Sequence, residues 1–134
     1  MTTTAMATGI DTVRKFYDLM GQDRFEEASH FLSPDVVVRE TSDLPFGGDY
    51  HGHAGNAELV RRMTSVFDLA ILRAAFFDAG DTVTAKLLAR FTPKAGGDPL
   101  ELEIVELITV RDGLIAELDI YHKTPSALAA HWQD

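Results

Sequence analysis

Hydrophobic positions recur at two different periods along this chain. Through the first half they fall three or four residues apart. Ile10, Val13, Phe16, Tyr17 and Met20 form one such stripe, with Asp11 as N-cap or first-turn acid and Gly21 as terminator. A second, short helix is predicted from about Asp23, its stripe made of Phe25, Ala28, Phe31 and Leu32, with Ser33-Pro34 stopping it. A β-branched strand follows over 35–41, then a long glycine-rich loop over 42–52. A third helix reaches roughly Asp68, with Leu59, Val60, Met63, Val66 and Phe67 facing inwards. Beyond it the period shortens to two, and strands are predicted over about 71–78, 81–92, 99–111 and 114–123. Gly80-Asp81 and Asp112-Gly113 are hairpin turns, and 93–98 is a longer polar loop. Thr124-Pro125-Ser126 could open a short terminal helix carrying Trp132. Three N-terminal helices followed by an antiparallel meander predict an α+β domain, its helices packed on one face of a strongly curved, mostly antiparallel sheet. Such a sheet can leave a conical cavity beneath the helices.

The alternation singles out three polar side chains. From Leu100 to Val110 the even positions read Leu, Leu, Ile, Glu, Ile, Val, so Glu106 is a lone carboxylate on an apolar strand face. The even face of the first strand, Val36 and Val38, ends in Glu40. That of the last strand, Leu114, Ala116, Leu118 and Ile120, ends in His122. Acid/base groups set in apolar faces suggest a hydrophobic pocket with a few placed polar groups. Each has a plainer reading: Glu106 paired to Lys86 or Arg90 on a neighbouring strand, Glu40 a solvated rim residue, His122 a satisfied core or rim histidine. Glu101, Glu103, Glu117 and Asp119 fall on the opposite faces, as solvated or subunit-interface surface.

Composition narrows the options. At 134 residues there is room for one domain with a sizeable core, read here as residues 10–134 behind a disordered leader over 1–9. A net charge of −9 disfavours nucleic acid and anionic membrane surfaces alike. With no cysteine there is neither a disulfide nor thiol chemistry. No apolar run reaches transmembrane length, and the Thr- and Ala-rich N-terminus lacks the basic and apolar regions of a signal peptide, which leaves a cytoplasmic location as the default.

The order of elements, with Val13-Arg14-Lys15-Phe16-Tyr17-Asp18-Leu19-Met20, Phe31-Leu32-Ser33-Pro34-Asp35-Val36-Val37, Leu44-Pro45-Phe46-Gly47-Gly48-Asp49-Tyr50-His51-Gly52 and Val110-Arg111-Asp112-Gly113-Leu114-Ile115-Ala116-Glu117, resembles the NTF2-like superfamily. Within it the chain looks most like SnoaL-like proteins and the related ketosteroid isomerases, over roughly residues 10–125. The resemblance implies an NTF2-like cone and a homodimer through the outer sheet face. It also places the isomerase's general-base carboxylate at Glu40 and its oxyanion-hole acid at Glu106. The phenol of that oxyanion hole falls at Phe16, with Tyr17 about 100° further round the helix.

A carboxyl in an apolar pocket has a raised pKa, and two close together share a proton. One base and one neutral acid in the same cavity suit proton abstraction beside a carbonyl, aldol closure or acid-assisted epoxide opening. Ketosteroid isomerase itself works with such a pair. The expectation is therefore a cofactor-independent isomerase or polyketide-type cyclase for a small hydrophobic oxygenated molecule. Glu40 would be the base, Glu106 the acid or oxyanion partner, and His122 an auxiliary group. Phe16, Tyr17, Met20, Phe46, Tyr50, Met63, Phe67, Phe76, Leu118 and Ile120 are the expected substrate contacts. Epoxide ring opening, or a non-catalytic ligand-binding or dimerisation module, are the alternatives; the missing first-helix phenol favours the latter. No metal site is expected: His51 and His53 form an H-x-H on a loop without a carboxylate at ligand spacing, although that loop could reach over the pocket mouth.

Overall fold

The computed structural model describes residues 8–132. Helix α1 (Gly9–Gly21) starts one turn earlier than Asp11 would set it. Thr8 is the N-cap, accepting from the Asp11 N–H, while the Asp11 carboxylate accepts from the Thr8 N–H. This reciprocal capping box makes Asp11 a first-turn acid and puts 8–9 in the fold; the rest of the expected leader lies outside the described residues. Helix α2 (Phe25–Ser29) is a single turn, shorter than its apolar stripe suggested, because Leu32 already belongs to strand β1 (Leu32–Glu40).

Ser33-Pro34 therefore does not end a helix but sits inside β1. The strand tolerates it through an irregularity: register against the last strand runs from Leu32↔Ile115 to Val37↔Glu117, so five steps along one strand match two along the other. A proline can occupy such a bulge because the ladder there needs no N–H. Part of the glycine-rich loop is also ordered, as the short strand β2 (Gly48–His51), antiparallel to β1.

Helix α3 (Gly52–Val66) then runs without a loop into β3 (Phe67–Asp78), which starts four residues before the predicted strand. Strands β4 (Thr82–Pro93), β5 (Leu100–Arg111) and β6 (Leu114–His122) complete a meander, and α4 (Pro125–Ala129) closes the described chain. Asp112 and Gly113 both have positive φ, 53° and 77°, the requirement of a tight hairpin turn between β5 and β6.

The molecule is thus mixed α+β, with four helices and a curled six-stranded sheet among the described residues. The expected three N-terminal helices are corrected to two before β1, one after β2 and one following the last strand. Strand order is β2-β1-β6-β5-β4-β3, antiparallel except for β1 beside β6. That parallel pair aligns Val38 with Leu118 and sets the ends of β1 and β6 side by side.

Alternation decides the two faces. On β4, Val83, Ala85, Leu87, Ala89 and Phe91 point into the core; on β5, Leu102, Ile104, Ile108 and Val110 do. They meet Val13, Phe16 and Tyr17 of α1 and Leu59 of α3. The outer face carries Glu101 paired to Arg90, Glu103 to Lys123 and Glu117 to Arg39. No helix among the described residues is long and apolar enough to cross a membrane.

Candidate functional site

Four ionisable side chains meet on the inner face of the sheet. Glu40 ends β1, Glu106 sits midway along β5 between the register partners Ala85 and Ile120, His122 ends β6, and Tyr17 reaches in from α1. They line one cavity of about 120 Å³, whose other walls include Phe16, Met20, Leu59, Met63, Ile104, Leu118 and Ile120.

The groups are joined in two couples. His122 Nε2 lies 3.1 Å from Glu40 Oε1, with both side chains almost wholly buried, 3% and 2% exposed. The same Glu40 oxygen accepts the Thr41 N–H at 2.9 Å. Thr41 also ties the two strand ends: its hydroxyl donates to Ile120 O at 2.8 Å and accepts the His122 N–H at 3.1 Å. His122 Nδ1 is buried and has no hydrogen-bond partner among the described residues. In the second couple the Tyr17 hydroxyl donates to Glu106 Oε1.

Electrostatics separate the couples. Burial pushes the Glu106 carboxyl up to about 7; the Tyr17 hydrogen bond pulls it down, the Glu40 charge pushes it up, and His122 pulls it down. The Tyr17 phenol is raised well above its usual range, first by burial and then by the Glu106 charge. Around neutrality Glu106 can therefore hold or release a proton in an apolar setting.

The plainer readings of these residues do not fit the geometry. Lys86 is the register partner of Val105, on the other face from Glu106, and Arg90 pairs with Glu101. Glu40 is enclosed rather than at a solvated rim, and one ring nitrogen of His122 is left unsatisfied.

Tyr17 corrects the sequence reading in which Phe16 left the first helix without a phenol at the site. Val13, Phe16, Tyr17 and Met20 form an i, i+3, i+4, i+7 stripe wide enough to turn both aromatic residues inwards. The binding-module alternative loses the feature that favoured it.

Of the expected contacts, Phe16, Tyr17, Met20, Met63, Leu118 and Ile120 line the cavity. Phe46, Tyr50, Phe67 and Phe76 do not. Phe46 is buried against Trp132, ring centroids 5.0 Å apart, and Phe67 packs edge-on to Phe91. Tyr50 donates to Phe46 O at 2.7 Å and accepts from Arg62 at 2.8 Å. Phe76 stands behind Tyr17, under the Arg14 guanidinium.

The glycine-rich segment is held down rather than free to swing over the mouth. Besides the Tyr50 bonds, Arg62 donates to Pro45 O, Asp49 pairs with Arg39, and His53 Nε2 lies 2.9 Å from Leu32 O. Asn56, buried and lining the cavity from α3, was missed. Its signal was present: Asn56, Leu59, Val60 and Met63 share one helix face, so the asparagine interrupts an apolar stripe as Glu106 does on its strand.

Comparison with known proteins agrees with this architecture. The sequence profile of the SnoaL-like domain matches residues 13–118. An NTF2-like protein of unknown function from Burkholderia pseudomallei K96243 superposes with a TM-score of 0.84 at 19% identity, covering 96% of this chain and 100% of that one. A candidate polyketide cyclase from Xanthomonas campestris pv. campestris gives 0.78 at 18% identity, covering 90% and 93%. TerC, co-crystallised with polyporic acid, gives 0.79 at 22% identity, covering 88% and 93%. No curated protein sequence matches. The fold is NTF2-like. With most of its length inside the matched profile, the chain belongs to the SnoaL-like domain family.

Proposed function

We propose that the protein is a cofactor-independent acid/base enzyme that isomerises or cyclises a small, largely apolar, oxygenated molecule. The observation that carries this reading is the pairing of unlike couples in one apolar cavity: Glu40 with His122, and Glu106 with Tyr17. The first couple supplies the base. The second supplies a carboxyl group that, raised to about 7, still carries its proton in part of the molecules at neutral pH, as needed to donate to a developing oxyanion.

Abstraction of a proton beside a carbonyl by the Glu40–His122 couple sends the C–H electron pair towards the carbonyl oxygen. Glu106, backed by Tyr17, hydrogen-bonds or protonates that oxygen. Return of the proton at another carbon completes an isomerisation, and attack of the enolate carbon on a second carbonyl completes a ring closure. The resemblance to a candidate polyketide cyclase and to TerC, co-crystallised with polyporic acid, supports this choice of chemistry.

The test is mass spectrometry of organic molecules extracted from the purified protein, followed by incubation with their enolisable precursors. Turnover should fall by roughly 10²–10⁴-fold when the base couple is disabled in the double variant Glu40→Gln with His122→Ala. A retained molecule that no precursor yields, and whose binding is unchanged in Glu40→Gln and Glu106→Gln, would overturn the proposal.

The outer face of the sheet fits a second copy of this chain. Phe77 (56% exposed), Tyr121, Leu107 and Val105 cluster there, Val105 and Tyr121 as direct register partners. A dimer in sedimentation that Phe77→Glu with Val105→Glu dissociates supports this reading; a wild-type monomer overturns it.

A further inference from the structure

Within the proposed acid/base reading, on which this rests, we infer that the atom exchanging a proton with the ligand is Nδ1 of His122, and that Glu40 is a positioning residue behind it. Three observations lead there. Glu40 Oε1 is engaged on two sides, by the Thr41 N–H at 2.9 Å and by His122 Nε2 at 3.1 Å. A carboxylate oxygen only accepts, so Nε2 carries the hydrogen of that bond, and a neutral imidazole then has a bare lone pair on Nδ1. That Nδ1 is the one buried side-chain nitrogen or oxygen without a partner among the described residues, on a histidine that lines the cavity.

Burying an unmatched acceptor is costly unless something in use meets it. The residue carrying the ring is held as well: its backbone N–H donates to the Thr41 hydroxyl, and Phe91 lies beside the ring at a centroid distance of 6.4 Å. Glu40 thus sets the tautomer and orientation, as the carboxylate does in a carboxylate–histidine couple of a hydrolase.

The arrangement also defines the ligand. It presents an acidic C–H or O–H to His122 Nδ1 and a carbonyl or hydroxyl oxygen to Glu106. An enolisable ketone, or its enol, meets both demands. In the step, Nδ1 takes the proton, the C–H electron pair becomes the enol double bond, and the carbonyl oxygen receives the Glu106 proton. The imidazolium so formed faces the Glu40 carboxylate.

Two measurements on the full chain test this. In 15N-histidine-labelled protein, multiple-bond 1H–15N correlation reads the proton on each ring nitrogen, with His122 assigned from its loss in His122→Gln. The expected result is a proton on Nε2, an acceptor-type Nδ1, and an Nδ1 resonance that moves as phenol, a small apolar hydroxyl probe, is titrated in. A proton on Nδ1 in the free protein, or phenol shifting other residues while leaving Nδ1 unmoved, overturns the inference.

The second measurement follows deuterium uptake from D2O into 2-indanone, an enolisable ketone. His122→Ala should lower the rate by about 100-fold or more, with partial rescue by added imidazole. Glu40→Gln should lower it roughly tenfold, the worth of exchanging a charge-assisted hydrogen bond for a neutral one. The reverse ranking, with Glu40→Gln inactive and His122→Ala still active, overturns the inference and leaves the proposed function standing. A wild-type protein without uptake counts against the proposed function, and the tautomer then decides the inference.

Discussion

The Tyr17 hydroxyl donates to Oε1 of Glu106, joining the first helix to the middle of β5 across 89 positions of sequence. This bond pulls the Glu106 carboxyl down against the larger upward push of burial. Tyr17→Phe should therefore move Glu106 above its value of about 7, not below it. A 13C-detected carboxyl titration reads the change. The cost in stability should be about 1–3 kcal/mol, for a buried acceptor that loses its donor.

Glu106 also gives folding stability a definite dependence on pH. Its carboxyl titrates near the ordinary 4.5 in the unfolded chain and at about 7 in the folded protein. As pH rises between these values the unfolded chain releases a proton that the native state keeps, so stability falls. The contribution is fully present below 4.5 and lost on passing about 7. In size it is about 3 kcal/mol, since each tenfold gain in proton affinity on folding is worth about 1.4 kcal/mol. Urea melts of wild type at pH 5 and pH 8 should show the decline, and Glu106→Gln, which cannot ionise, should flatten it.

Thr41 offers a way to loosen the Glu40–His122 couple without touching either member. Thr41→Val keeps the shape but removes the hydroxyl that donates to Ile120 O and accepts the His122 N–H. Two partly buried backbone groups lose a partner, for a loss of about 1–3 kcal/mol in chemical denaturation. On the proposed chemistry kcat should fall while KM changes little, because the cavity walls remain.

Gly47 tests how tightly the segment before β2 is packed. A Cβ there would lie 2.3 Å from Thr41 O and 2.9 Å from Leu44 O, both backbone atoms that cannot swing aside. Gly47→Ala should cost more than about 3 kcal/mol, measured by thermal unfolding. Because the clash falls on Thr41, the site should be disturbed along with the fold.

The strands carrying the site were legible because a period of two leaves no ambiguity about which face a residue joins. A single polar residue among apolar neighbours, as at Glu106, then stands out. The helical half was harder to read. On α1 the inward stripe is broad enough to hold both Phe16 and Tyr17, so the 100° between them, read as keeping Tyr17 from the phenol's role, does not take it off the inward face. Strand β2 was hidden because Gly48-Asp49-Tyr50-His51 has turn composition and becomes a strand only by pairing with β1. Ser33-Pro34 misled for a similar reason: the irregularity that accommodates it is a property of the β1–β6 register, which local sequence does not encode. The joining of Glu40 to His122 depends on the same long-range pairing.

That parallel pairing has a consequence for how the protein comes into being. The bond between the His122 N–H and the Thr41 hydroxyl spans 81 positions, and closing so long a loop is among the slower events available to a small domain. Until β6 docks beside β1, Glu40 is an ordinary hydrated carboxylate at the end of an unfinished edge. A nascent or clipped chain that stops short of residue 122 can carry Glu40, Glu106 and Tyr17 and still lack the Glu40–His122 couple. On the proposed chemistry, the base couple exists only in molecules whose sheet has been completed.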